Sequence, residues 1–132
     1  MSSDLENLLP ANLRSFLFSC IESVEQVEIL ILLRGSAREH TAREIGVLLR
    51  SSAATIRRDL DTLTARGLLN ARVSEETTFS YQPKSDELAR YADLLAAYYI
   101  SARAAVYTFV SNRSQSALRR FSEAFKLRDP DA

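Results

Sequence analysis

The sequence predicts a mainly α fold with one small β-hairpin, an N-terminal helix before it and a long C-terminal helix after it. Three observations predict it. Capping signatures recur just ahead of apolar residues at helical spacing, and after Gly67 the period shortens to that of strands. From Ser85 helical periodicity returns and persists for about 26 residues. A chain of 132 residues, 46% hydrophobic and 26% charged, has material for one modest core and is too apolar for a disordered segment.

Taken in order, LLPANLRSFLFSCI sets Leu9, Leu13, Phe16, Leu17, Cys20 and Ile21 at helical spacing, with Pro10 suited to the first turn. Residues 1–22 therefore read as an N-terminal helix. Ser23 and Gln26 have capping-box spacing and open VEQVEILILLR, which Gly35 stops. Thr41 and Glu44 form a second such box ahead of AREIGVLLR. Ser52 caps AATIRRDLDTLTAR, and Gly67 stands in the position that ends a helix. The segments LLNARVS and TTFSYQP, β-branched and aromatic and joined across the SEET turn, predict a hairpin that Pro83 closes. Residues 23–84 form the central domain. Residues 85–132 carry the C-terminal helices, the last of them over SALRRFSEAFKL.

Three helices followed by a two-stranded hairpin is the order of a winged helix-turn-helix, in which a tight turn holds one helix out for the DNA major groove. From Thr41 to Leu69 the chain resembles bacterial winged-helix transcriptional regulators, at Thr41, Glu44, Ile45, Leu49, Ser52, Thr55, Ile56, Leu60, Leu63, Gly67 and Leu68. The string TIRRDLDTL is similar to that of DeoR-type regulators, and the long helix after the hairpin to those that pair subunits in the PadR and MarR groups. SVEQVEILILL and FSEAFKLRD resemble the start and end signatures of a group of bacterial winged-helix proteins and imply no particular activity. The resemblance implies a homodimeric regulator that binds double-stranded DNA through the helix over residues 52–66.

The residues fit that expectation chemically. Ile56, Leu60, Leu63 and Leu68 form the apolar stripe that seats the helix, leaving Ser52, Ala54, Thr55, Arg57, Arg58 and Asp61 on the other face. An arginine there can grip guanine or a phosphate, and Ser52 and Thr55 suit phosphate near the helix start. The expected DNA contacts are Thr41, Arg43, Ser52, Ala54, Thr55, Arg57, Arg58 and Arg72. Gly46 lies where a small residue lets two helices cross closely. The charge pattern agrees: the chain is neutral overall, yet residues 34–74 hold eight basic against four acidic side chains, and residues 1–33 one against five.

Other positions argue for a different use. Glu75 and Glu76 occupy the hairpin tip, where DNA-binding wings carry basic residues, and Asp61 is spaced to pair with Arg57. Ile45, Val47, Leu48 and Leu49 make the helix after Thr41 apolar nearly all round, so it calls for cover from the N-terminal helix or a second subunit. The alternative reading is a winged-helix module that docks a protein and binds no DNA.

Leu88, Ala92, Leu95, Tyr99, Ala102, Val106 and Phe109 recur at alternating steps of four and three. A straight helix would carry this seam over roughly 39 Å, at 1.5 Å per residue. Leu88, Leu95, Tyr99, Ala102, Val106 and Phe109 are the expected dimer interface. No catalytic residue, metal site or cofactor is predicted, and no effector ligand can be named. The lone histidine, His40, is expected on the surface in a polar loop, and the lone cysteine, Cys20, as a buried small hydrophobe. The N-terminus lacks an export signal and no apolar run is long enough to span a membrane, which places the chain in the cytoplasm.

Overall fold

The computed structural model describes residues 5 and 7–112. In it α1 (Ala11–Cys20) and α2 (Val24–Arg34) lead into β1 (His40–Thr41), α3 (Ala42–Leu49) and α4 (Ala53–Ala65). There follow β2 (Leu69–Arg72), β3 (Thr78–Tyr81), α5 (Asp86–Ser101) and α6 (Arg103–Asn112). The described strands form one antiparallel sheet in the order β1-β3-β2. A mainly helical chain with a small three-stranded sheet is compatible with a winged helix.

The helix starts are made by the side chains that the capping signatures name. Ser23 Oγ accepts from the Gln26 N–H at 3.2 Å, Thr41 Oγ1 from the Glu44 N–H at 3.1 Å and Ser52 Oγ from the Thr55 N–H at 3.1 Å. Ser85 caps α5 in the same way, accepting from the Leu88 N–H. Gly67 has φ 85°, and the N–H groups of Gly67 and Leu68 donate to the carbonyls of Thr64 and Leu63, closing α4 in a Schellman motif.

One hydrophobic cluster joins α1 through α6 among the described residues. Leu13 and Leu17 of α1, Ile29 and Leu30 of α2, Ile45 of α3, and Ile56, Leu60 and Leu63 of α4 meet in it. Phe79 of β3, Leu95 of α5 and Val106 and Val110 of α6 complete it. The rings of Phe16 and Tyr91 stack at 5.5 Å and fasten α1 to α5. Cys20 is half-buried against this core rather than enclosed by it.

His40 and the helix from Ser85 also depart from expectation. His40 is not a surface residue: it is 5% exposed, because β1 pairs with β3 and sets His40 opposite Phe79. Its Nε2 lies 2.7 Å from Ser36 Oγ and its Nδ1 3.5 Å from Glu44 Oε2. The single long helix from Ser85 is broken as well. Ala102 leaves helical geometry at φ −145° and ψ 48°, and α5 and α6 meet at 114°. Folding back sets Ala105, Val106 and Val110 in the same core as Ala92 and Leu95. A straight helix would carry them away from it. At the elbow the hydroxyls of Tyr99 and Tyr107 are 3.2 Å apart, and the Arg103 guanidinium sits 4.3 Å over the Tyr99 ring. The proposed seam is thus not one line. Leu95 and Val106 are enclosed within the chain, while Leu88, Tyr99, Ala102 and Phe109 are half-buried. The last expected helix, over residues 116–127, lies outside the described residues. Among those described, no single helix is long and apolar enough to cross a membrane.

The turn from α3 to α4 positions everything that follows. The Ser51 N–H donates to the Gly46 carbonyl at 2.9 Å, and a Cβ on Gly46 would stand 2.7 Å from the Ser51 carbonyl oxygen. Arg50 takes the left-handed conformation, φ 56° and ψ 45°, where glycine is usual. We predict that Gly46→Ala lowers unfolding stability by about 1–3 kcal/mol through backbone overpacking. We predict that Arg50→Gly raises it by about 0.5–1 kcal/mol. Urea denaturation measures both, and an unchanged Gly46→Ala midpoint would show that the turn yields.

Candidate nucleic-acid interface

Ile56, Leu60 and Leu63 are wholly buried and seat α4 on the core, so its opposite face is turned outward. That face presents Ser52, Ala54, Arg57, Arg58 and Asp61 to solvent, with Thr55 half-buried. Ser52 and Thr55 are engaged with one another: besides capping, Ser52 Oγ donates to Thr55 Oγ1 at 2.8 Å. Thr41 is placed differently. It is buried at the start of α3, where its hydroxyl accepts from the Glu44 N–H and donates to the Glu44 carboxylate at 3.3 Å. Its role is to cap.

Most of the expected arginines are held by the protein's own carboxylates. Arg57 Nε donates to both oxygens of Asp61, at 3.1 and 3.2 Å, and its guanidinium lies 5.4 Å from the centroid of the Phe79 ring. Arg57 thereby ties α4 to β3 as well as facing outward. Arg43 of α3 reaches Glu76 of the hairpin tip at 3.3 Å, and Arg72 of β2 lies 3.6 Å from Glu39. Arg38 pairs with Glu44 at 3.3 Å; desolvation pushes the Glu44 carboxyl up, but the hydrogen bonds with Thr41 and then the Arg38 charge outweigh it and hold the group below its usual range. Arg58 and Arg50 make no ion pair among the described residues. Each pair is substantially exposed, so each contributes only about 0.2–1 kcal/mol and leaves its arginine exchangeable. Arg38, Glu39 and Arg50 were missed by sequence reasoning. Only Arg50 had a local signal, since it follows a helix in the place glycine takes.

The outer side of α3 is not covered as its composition demands. Val47 is 75% and Leu48 58% exposed, and neither α1 nor another described element lies over them.

Behind α4 a polar cluster joins it to α2. Gln26, buried between them, accepts from the Glu22 N–H through Oε1 at 2.8 Å and donates through Nε2 to Asp59 Oδ1 at 3.1 Å. Burial, and then the hydrogen bond with Glu25, push the Asp59 carboxyl up from 3.8 to about 6, while Gln26 and Arg58 oppose the shift. A carboxyl raised by folding binds its proton more tightly in the folded state. Its contribution to stability is therefore complete below about pH 3.8 and lost as pH rises through about 6. Asp59→Asn keeps the acceptor for Gln26 and removes the titration. We predict a variant about 1 kcal/mol more stable than the parent at pH 7.5, after solvent screening, with the difference vanishing near pH 4. Denaturation across this range measures it, and a parallel pH profile for the two proteins would contradict it.

Comparison of the chain with protein-family models, with curated proteins and with solved structures gave no match.

Proposed function

We propose that the chain is a cytoplasmic DNA-binding transcriptional regulator of the winged helix-turn-helix class, with α4 entering the major groove of duplex DNA. The observation that carries the reading is the setting of α4. An apolar stripe and a tight turn hold the helix rigidly, and it turns Ser52, Ala54, Arg57 and Arg58 outward together. Arg43 of α3 and Arg72 of β2, both exposed, would supply phosphate contacts. Arg58 is the first choice for a base contact. Arg57, braced by Asp61 and Phe79, supports the helix and contacts the backbone. The carboxylates on the same face make this a weak, salt-sensitive reader whose arginines exchange Asp61, Glu39 and Glu76 for phosphates.

A second reading is favoured by one observation, the exposed Val47 and Leu48, which offer DNA nothing and suit a protein partner.

Fluorescence anisotropy with a mixed-sequence duplex at about 50 and 200 mM salt tests the first reading. Three to four phosphate contacts predict a loss of roughly a hundredfold across that interval; an Arg57→Ala, Arg58→Ala double variant loses one backbone contact and so has a slope shallower by about one, with affinity lowered further by the missing base contact. No binding at the lower salt would remove DNA as the partner.

A further inference from the structure

The outer face of α3 and the hairpin tip are complementary, and one chain uses only half of that complementarity. Val47 and Leu48, with Arg38, Arg43 and Glu44, line an open cavity of about 340 Å³. Arg43 and Val47 are four residues apart on α3 and so lie on one face, which makes the apolar patch basic on its rim. The tip carries the opposite set: Val73 is 82% exposed, and Glu75 and Glu76 follow it. Within the chain Glu76 already reaches Arg43, so this arginine accepts a carboxylate and the tip lies beside the patch. The apolar side chains gain nothing from that contact and remain in water.

We propose that the α3 patch seats the hairpin tip of a second copy of this chain, with Val73 against Val47 and Leu48 and the tip carboxylates on Arg38 and Arg43. Each copy carries both halves, so the contact is made twice about a two-fold axis. A net charge of zero leaves little long-range repulsion between copies. DNA does not account for the patch, because phosphates gain nothing from valine and leucine. The interface is small, so the dimer is weak and salt-sensitive. The proposal stands apart from the DNA reading. Where both hold, phosphates and the second copy compete for Arg43.

Sedimentation velocity on the whole chain without DNA, from micromolar to near-millimolar concentration at low salt, tests it. The expected result is a concentration-dependent dimer that weakens at least tenfold in Val73→Ser and in Leu48→Ser. Both positions are exposed, so urea midpoints will confirm folded variants. Arg43→Glu abolishes the dimer, and adding Glu75→Arg and Glu76→Arg to it restores association. A chain that stays monomeric at every concentration overturns the proposal, and so does a dimer indifferent to Val73 and Leu48, whose interface lies elsewhere. A monomer whose Val47 and Leu48 methyl resonances shift with a free acidic amphipathic peptide also overturns it and gives the surface to a foreign partner.

Discussion

The hydrogen bond from the Ser51 N–H to the Gly46 carbonyl is the constraint on which the outward face depends. It forms because residue 46 has no side chain; a Cβ there would meet the carbonyl of Ser51 at 2.7 Å. The turn can then close tightly, at the cost of a left-handed Arg50, and Ser52 falls where its hydroxyl caps α4. With its start fixed and Ile56, Leu60 and Leu63 buried, α4 has one orientation available. The exposure of Arg57 and Arg58 follows from that orientation.

The electrostatics of the same face are set by distance along the fold more than by composition. Residues 34–74 are basic in the sequence, yet the sheet brings Glu39 to Arg72 and the hairpin brings Glu76 back to Arg43. A block that reads as positive is therefore largely neutralised in three dimensions. Such exposed pairs are individually weak, and that weakness is compatible with function. They keep arginines ordered and soluble without committing them, and a ligand bearing several negative charges can displace them together.

Much of this was legible beforehand. Ser23, Thr41 and Ser52 each sit three residues before the N–H they cap, so helix starts could be read locally, and Gly67 marked the end of α4. The Arg57–Asp61 pair was readable too, being one helical turn apart. The features that were not legible all depend on partners distant in the chain. A two-residue strand has no period, so neither β1 nor the burial of His40 could be foreseen from His40 and Thr41 alone. The break at Ala102 has no proline or glycine to announce it; tertiary packing of Val106 and Val110 overrides a continuous helical pattern. Arg43 and Glu76 are 33 residues apart and meet only because the hairpin folds over. Val47 and Leu48 were expected to lie under the N-terminal helix or a second subunit, and within the chain both stand exposed; their own spacing carries no information on a partner.

The central claim is that α4 and its flanking arginines form a DNA-binding face held in check by the protein's own carboxylates. The most direct test is the low-salt affinity for duplex DNA of a Glu76→Gln variant, which frees Arg43 while leaving the hairpin's shape intact. The account predicts binding several-fold tighter than that of the parent chain, with a steeper salt dependence. Affinity that is unchanged or weaker would contradict it, showing that Glu76 does not hold Arg43 back from DNA.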